Sequence, residues 1–420
     1  MKILKISGFV LLGMLNLKTY AQEVEANLQI RPRYEYRNGF KSPLSEGEEA
    51  TSFVSQRSRL NLNFRQDKLK LKLALQNIRT WGDVATTATA DKNGVAVFEA
   101  WAQYEFNSDW SSRLGRQVIS YDNQRILGEI DWAQQGQSHD AAVFSFHPNK
   151  HQLDLGFALN SNAENLVAPQ TPYTTNYKSM QYAWYHTQFG KISSSFLLLN
   201  TGYEFEKSVG NLEVYYKQTF GTYWSFKNKK WDANLGLYGQ TGKSANAKVS
   251  GWYAGANLGY ALTDQFKATL GYEFLSGKDQ TDNSTTVKSF SPLFGTNHGF
   301  NGFMDYFYVG NYQNSVGLQD AFLKLNYAFE KWQFTVTPHF FSAPNTVLDV
   351  SNEKMDAYLG TEIDFSLNYT LQKDIAISAG YSQMFATQTL ERIKNANNPS
   401  ETNNWVWIML SFQPKIFSSK

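Results

Sequence analysis

The amino-acid sequence predicts an all-β fold, and more specifically a transmembrane antiparallel β-barrel. Three observations lead to this prediction. Apolar and polar side chains alternate along many short segments, and the first 21 residues have the pattern of an export signal. The chain is also rich in large aromatic rings, although it is polar on average.

The alternation is clearest over residues 24–36, the first strand expected after the export signal. Val24, Leu28 and Tyr34 share one face of this segment, and the opposite face is entirely polar. Successive side chains of a strand point to opposite faces, so each such segment has one apolar and one polar face. Similar segments occur at 60–64, 69–75, 153–159, 212–216, 266–274, 323–329, 332–336, 359–369 and 405–412.

Alternation alone fits a soluble β-sandwich, whose apolar faces form the core, as well as a membrane barrel, whose apolar faces meet lipid. The export signal, the number of segments and their terminal aromatic residues favour the barrel. A contrast between short turns and long loops favours it too, because outer-membrane barrels have one rim of each kind. Short turns are expected at 66–68 and 227–230, and long loops near 38–52, 83–94, 161–178, 277–316 and 388–403.

The last alternating segment, 405–412, is expected to pair with the first strand. This pairing would close the barrel and leave no open sheet edge in lipid. The segments suggest 16 to 18 strands, and we expect 18, with 16 as the alternative, because single-chain bacterial barrels favour even numbers. A barrel of this size encloses an aqueous lumen rather than a packed interior.

The N-terminal segment predicts a cleavable secretory signal over residues 1–21. Lysines precede an apolar run at 6–17, and small residues precede the expected cleavage before Gln22. The apolar run is too short to span a bilayer of about 30 Å. Because no linker or helical periodicity follows, we expect residues 22–420 to form a single barrel domain.

Composition and charge exclude several classes of protein. Aromatic residues make up 15% of the chain while the mean hydropathy is −0.45, a combination typical of a barrel with an apolar outside and a wet inside. Without the three lysines of the signal, 36 basic residues face 37 acidic ones, so no basic excess points to nucleic acid. The absence of cysteine excludes a disulfide scaffold and a lipoprotein anchored through cysteine.

Arginines dominate the polar faces that should line the lumen. Parity places Arg57, Arg59 and Arg65 there, together with Arg31 and Arg33. A guanidinium stays charged and offers a planar fork to carboxylates, so the functional interpretation is a cationic path for an anionic solute. The structural alternative is that these side chains pair with acidic residues and stiffen the wall. The acidic candidates are Glu25, Glu35, Glu99, Glu105, Asp131 and Asp140.

Further arginines lie in the stretch that follows residue 112. Arg113 is expected on the lumenal face. Arg116, like Arg79, breaks the strict alternation, so either a bulge near Gly115 redirects it or it lies in the polar rim.

Residues 121–132 form a segment that is long enough to be a loop folded into the pore. This segment carries Arg125, Asp131 and Trp132. Trp132, like Trp101, lies on or near the polar face, where its ring could stack on a sugar.

The sequence lacks recognised catalytic and metal-binding motifs. The six histidines are scattered, without the HExxH spacing of zinc hydrolases, and neither a GxSxG elbow nor a phosphate-binding glycine loop is present. We therefore expect no catalytic residues, no metal and no cofactor. One alternative is a barrel enzyme that hydrolyses lipids or esters with His298 near Asp305. Another is a plugged structural or adhesive barrel.

Two stretches resemble the alginate export family of outer-membrane porins from Gram-negative bacteria. The matching motifs fall within about 113–146 and 296–310, and the general character of the match extends over 24–420. The motifs are Leu114-Gly115-Arg116-Gln117, Tyr121-Asp122, Arg125, Asp131-Trp132, Gln135-Gly136, Asp140 and the run from Asn301 to Phe307.

The resemblance implies a monomeric, 18-stranded barrel in the bacterial outer membrane. Its electropositive constriction would pass an acidic polysaccharide or another anionic solute by diffusion, and periplasmic export proteins could deliver the cargo. Carried over position by position, the resemblance assigns the constriction to Arg113, Arg116, Arg125 and Asp131, with Trp132 beside them. The lumenal roles of Arg57, Arg59 and Arg65 rest on parity alone.

Overall fold

The computed structural model describes residues 22–310, 312, 314–399 and 402–419. The secretory signal expected over 1–21 lies outside the described residues. Neighbouring strands pair antiparallel throughout the described sheet. The strands are β1 Glu23–Asn38, β2 Thr51–Gln66, β3 Leu69–Thr80, β4 Ala96–Glu105, β5 Trp110–Gln117, β6 His139–Phe146, β7 His151–Leu159, β8 Ser179–Phe189, β9 Ile192–Ser208, β10 Asn211–Lys227, β11 Trp231–Ser244, β12 Ala247–Ala261, β13 Phe266–Leu275, β14 Leu318–Phe329, β15 Trp332–Ser342, β16 Tyr358–Gln372, β17 Ile375–Ala386, β18 Asn403–Phe412 and β19 Lys415–Ser418.

The sheet closes on itself because β1 pairs with β2 on one side and with β18 on the other. Gln413 and Pro414 interrupt the last strand, after which β19 pairs with the first part of β1. β18 and β19 therefore share one position in the wall, and the barrel has 18 strands. The predicted strand number and the predicted pairing of 405–412 with the first strand are both confirmed.

The two faces of each strand differ in the way the alternation predicts. On β1, the outward Ile30 and Tyr34 are 38% and 40% exposed, whereas the inward Arg31 and Arg33 are buried. A soluble sandwich would bury the apolar face, but here that face is the exposed one. The fold is therefore a membrane barrel, with apolar side chains toward lipid.

Aromatic pairs lie on the outside near the short turns. Trp110 stacks on Phe146 with ring centroids 4.4 Å apart, and Trp332 packs against Tyr369 at 4.2 Å. Amphipathic rings favour the boundary between hydrocarbon and water, so these pairs mark one edge of the membrane.

The two rims differ in loop length. Short turns join the strands at one rim, including 67–68 and 228–230, while the other rim carries loops 39–50, 81–95, 118–138, 160–178, 276–317, 343–357 and 387–402. The predicted short turns and the five predicted long loops are confirmed, whereas the loop at 343–357 was not anticipated. Helix α1, Gln388–Lys394, lies in the last of these loops. Within the described residues, no helix is long and apolar enough to cross a bilayer.

The bulge considered near Gly115 does not form. Gly115 has a φ of +118°, yet β5 pairs with both neighbours through this residue without a register shift. Arg116 therefore stays on the face opposite to Arg113 and Gln117.

Replacing Gly115 with alanine should lower the free energy of unfolding by about 1–3 kcal/mol, because L residues rarely adopt this φ. The added Cβ would also lie 2.3 Å from the backbone oxygen of Ala100. Urea unfolding of the refolded barrel measures the effect. Gly236→Ala is the control, since its Cβ would meet nothing closer than 3.5 Å. Equal stabilities of the two variants would contradict the strain argument.

Candidate functional site

Two of the long loops fold into the barrel and meet inside it. Leu127 and Phe294 form a parallel bridge there, and the Gly128 N–H donates to the Phe294 carbonyl at 3.0 Å. We call residues 121–137 and 294–305 the lumenal partition. It separates a cavity on the long-loop side from a second cavity on the short-turn side.

Hydrogen bonds within the partition satisfy its backbone polar groups. Gln137 donates through Nε2 to the carbonyls of Gly128 and Phe294, at 3.0 and 2.7 Å. The Thr296 N–H donates to the Gln124 carbonyl at 2.9 Å. Because unpaired backbone groups are costly away from water, these bonds favour one path for the two loops.

One side of the partition contacts four buried arginines of β1 and β2. Arg31 and Arg57 lie directly opposite each other on the two strands. Both bind Asp131 of the partition, Arg57 through Nη2 at 2.7 Å and Arg31 through Nη1 at 3.1 Å. The Asp131 side chain remains 52% exposed. Water therefore reaches this ion-pair network.

The other two buried arginines, Arg33 and Arg59, bind groups other than Asp131. Arg33 donates to the Trp132 carbonyl at 2.7 Å and also pairs with Glu35. Arg59 donates through Nε and Nη2 to Oε1 of Gln76, at 2.9 and 2.6 Å. In the described part of the chain, no carboxylate lies within ion-pair distance of Arg59.

We call Arg31, Arg33, Arg57 and Arg59 the arginine wall. Burial raises the pKa of Asp131, but the guanidiniums of Arg57 and Arg31 outweigh burial and hold that pKa below its ordinary value. Asp131 is therefore ionised at neutral pH.

Trp132 packs among protein groups. The Arg33 guanidinium lies 4.0 Å from its ring centroid, and the His298 ring stacks on it at 4.4 Å. Trp407 meets the ring edge-on at 4.9 Å. These contacts hold the partition against the barrel wall.

The remaining predicted site residues lie away from the arginine wall. Arg65 is exposed at the short-turn rim, and Arg113 lies 4.6 Å from the Trp101 ring and donates to Gln103. Arg116 pairs with Asp140 at 2.8 Å while 40% exposed. The structure places four of the predicted site residues together: Arg57, Arg59, Asp131 and Trp132. It places the other four elsewhere: Arg65, Arg113, Arg116 and Arg125.

Arg125 anchors the partition to the opposite, acidic wall. Its Nη2 lies 2.9 Å from the Glu273 carboxylate on β13 and 2.7 Å from the Asn301 side-chain oxygen. The Asn301 amide donates in turn to Glu273 and to Asp320 on β14, at 3.0 and 3.1 Å. Arg125 therefore compensates buried negative charge and joins the two loops.

Two carboxylates of β16 bind the backbone of the same loop. Glu362 accepts from the Met304 N–H at 2.7 Å, and Asp364 accepts from the Phe303 N–H at 3.2 Å. The acidic wall thus holds the partition through hydrogen bonds from main-chain N–H groups.

His298 does not lie in a hydrolytic arrangement. Its Nδ1 is 2.8 Å from Asp305 Oδ1, and among the described residues no hydroxyl group hydrogen-bonds to the ring. The described chain also contains no cluster of three or more His, Asp or Glu that could hold a metal ion. Among the described residues, no side-chain hydroxyl is hydrogen-bonded to His298 as the nucleophile of the hydrolase alternative would be.

Three glutamines complete the arginine wall and were not predicted. Gln29 and Gln76 bind Arg57 and Arg59, at 2.7 and 2.9 Å. They share the inward parity of the arginines, so the same pattern could have identified them. Gln134 binds Arg31 from the partition, where no periodicity marks it.

Comparison with solved structures shows the same architecture in bacterial channels. OccK1 (OpdK) of Pseudomonas aeruginosa superposes with a TM-score of 0.63 at 13% identity, over 93% of this chain and 98% of that one. OccAB4 of Acinetobacter baumannii gives 0.65 at 11% identity, over 96% and 100%. OccK11 (OpdR) of Pseudomonas aeruginosa gives 0.59 at 12% identity, over 94% and 96%. At these identities the likeness concerns the fold.

Sequence comparison identifies the family. No protein of curated function matches the chain, but the family model described as "Alginate export" matches residues 22–404. The match spans nearly the whole barrel and places it in the bacterial outer membrane. The chain belongs to the alginate export family.

Proposed function

We propose that this protein is a passive channel for anionic solutes, acidic polysaccharides among them, which pass the partition along the arginine wall. The observation that carries the proposal is a local excess of positive charge inside the lumen. Arg31 and Arg57 share the carboxylate of Asp131, which is half exposed to solvent, and Arg59 has no carboxylate within ion-pair distance among the described residues. Low-dielectric walls strengthen the resulting potential.

A diffusing anion would be attracted by the field of several guanidiniums that are buried in the wall and already held in place. Each guanidinium is satisfied by a glutamine, a carboxylate or a backbone carbonyl, so the anion is attracted without filling an empty site that would trap it. Conduction requires this kind of binding, which is strong enough to attract an ion and weak enough to release it.

The comparisons support a carboxylate as the charged group. OpdK has been solved with vanillate, which carries one carboxylate. The family is named for the export of alginate, a chain of uronic acid residues. We propose that the barrel works as a monomer, since β1 and β18 pair within one chain and leave no sheet edge for a second copy.

Replacing Arg57 and Arg59 together with glutamine should lower the chloride-to-potassium permeability ratio by about twofold or more, because the local potential sets ion concentration. Reversal potentials in a KCl gradient across planar bilayers measure this ratio. Wild-type channels should be anion-selective.

Arg116→Gln is the control for charge removal outside the site, because it removes one guanidinium from an exposed pair away from the arginine wall. This variant should keep the wild-type ratio. Cation selectivity in the wild type, or an unchanged ratio in the double variant, would reject the proposal. A wild-type barrel without measurable conductance would favour the plugged, structural alternative.

A further inference from the structure

We propose a second anion-binding site, on the long-loop side of the partition, that takes a carboxylate carried on a six-membered ring. The site is a cavity of about 300 Å³ between β9–β12 and the loop 276–317. The inference deepens the proposed function and rests on it, since an anion channel would fill this site from its lumen.

The alternation of side chains along β10 directs Lys217 into this cavity. On β10, Tyr216 and Phe220 face lipid and are 43% and 45% exposed, whereas Thr219 is buried on the inner face. Tyr215 and Lys217 share the inner face with Thr219, and both line the cavity. Cross-strand pairing sets Tyr215 opposite Tyr203 of β9, which lines the cavity as well.

The Lys217 ammonium has no carboxylate within ion-pair distance and no hydrogen-bond acceptor among the described residues. The nearest ring contact of its Nζ is Tyr203, with 5.8 Å to the ring centroid. The side chain is partly buried. Withdrawing an ammonium from water without a partner is unfavourable, so a lumenal anion would gain by binding there.

The walls beside Lys217 suit a flat ligand. The rings of Tyr203 and Tyr215 are stacked, with centroids 5.5 Å apart and planes 22° apart. Aromatic faces bind both aromatic rings and the apolar faces of sugars. A ring with a carboxylate could therefore contact the tyrosines while its charge meets the ammonium.

The opposite wall of the cavity is tied to the barrel. Gln240 donates to the Ser291 carbonyl at 2.8 Å and accepts from the Ser291 N–H at 2.9 Å. The two bonds fix the inward loop against β11, so the cavity is present before a ligand arrives. Its volume is at the lower end of small-molecule sites, which suits one ring rather than a long segment.

Two kinds of compound have a carboxylate on a six-membered ring, a uronic acid and an aromatic carboxylic acid. Isothermal titration of the folded barrel in detergent with sodium glucuronate and, separately, sodium benzoate tests both. Methyl glucoside and benzyl alcohol are the matched neutral probes. At least one acid should bind saturably, and the preferred acid identifies the source of the carboxylate.

Lys217→Met should weaken binding of that acid about tenfold or more, the loss expected when a charge-assisted hydrogen bond is removed. Lys243→Met is the control, because Lys243 is exposed on the opposite face of the neighbouring strand. This variant should bind like the wild type. Heat-dependent migration in gels verifies that each variant is a folded barrel.

Equal affinity in Lys217→Met and the wild type would overturn the site, as would equal binding of the neutral probes or no binding of either acid. Ion selectivity set by Arg57 and Arg59 is a separate measurement. A channel that is anion-selective but binds neither acid would reject the Lys217 site alone. A barrel that binds an acid through Lys217 but is not anion-selective would reject the proposed function alone.

Discussion

Replacing Asp131 with asparagine should increase the anion preference of the channel. The substitution keeps the size of the side chain and removes the carboxylate that Arg31 and Arg57 share. Backbone contacts such as Arg31 Nη2 to the Asp131 carbonyl, at 2.8 Å, remain and should keep the partition in place. We expect the chloride-to-potassium permeability ratio to rise by roughly twofold or more as the lumenal potential becomes more positive.

The same substitution should lower the free energy of unfolding by about 1–2 kcal/mol, less than for a fully buried ion pair, because Asp131 is half exposed. Reversal potentials and urea unfolding measure the two effects. Asp140→Asn, in the exposed pair with Arg116, is the control and should change neither. A lower anion preference in Asp131→Asn would show that the carboxylate does not oppose anion passage.

The pH dependence of stability and selectivity provides a second measurement of what the Asp131 carboxylate contributes. The pKa of Asp131 is lower in the folded barrel than its ordinary value of 3.8, because Arg57 and Arg31 outweigh burial. The stability from this pairing is therefore present above pH 3.8 and is lost as the pH falls through the lower, folded pKa. The contribution of Asp131 to selectivity should stay constant from neutral pH down to about pH 5 and should be lost, as in Asp131→Asn, only in stronger acid.

The barrel could be predicted because lipid and water impose a strict two-residue period on every strand. Ile30 and Arg31 are adjacent in sequence, yet one faces lipid and the other the lumen, so parity alone assigns both. The same rule found Arg57 and Arg59. Strict parity places Arg116 on the outward face, and the structure keeps it there, since β5 pairs regularly through Gly115 without the bulge that would have turned the next side chain inward.

The partners of the arginines could not be predicted, since they lie on loops without periodicity. Arg57 meets Asp131 across 74 positions of the chain, and Arg125 meets Glu273 across 148. Such contacts depend on the path of both loops through the lumen, and that path is set by backbone hydrogen bonds such as those around Phe294. The sequence therefore identified which groups are charged but not which charges compensate one another.

Of the substitutions discussed, replacing Arg125 with alanine should lower the free energy of unfolding most, by about 3–5 kcal/mol. This is the range observed when one partner of a buried ion pair is removed. Arg125 is only 2% exposed, and Glu273 is 7% exposed. Without the guanidinium, Glu273 keeps the Asn301 amide and the Tyr253 hydroxyl but no positive partner within ion-pair distance among the described residues. Urea unfolding of the barrel in lipid vesicles, followed by tryptophan fluorescence, measures the loss.

A double-mutant cycle separates the effect of charge from that of lost packing. Glu273→Gln removes the carboxylate that Arg125→Ala leaves uncompensated, so the double variant should regain part of the stability lost in Arg125→Ala. Arg116→Ala breaks an exposed pair and should cost less than about 1 kcal/mol. If Arg125→Ala cost no more than Arg116→Ala, the link between Arg125 and the acidic wall would not stabilise the partition. A large loss that Glu273→Gln did not relieve would instead assign the stability to the contacts of Arg125 with the rings of Tyr253 and Phe300.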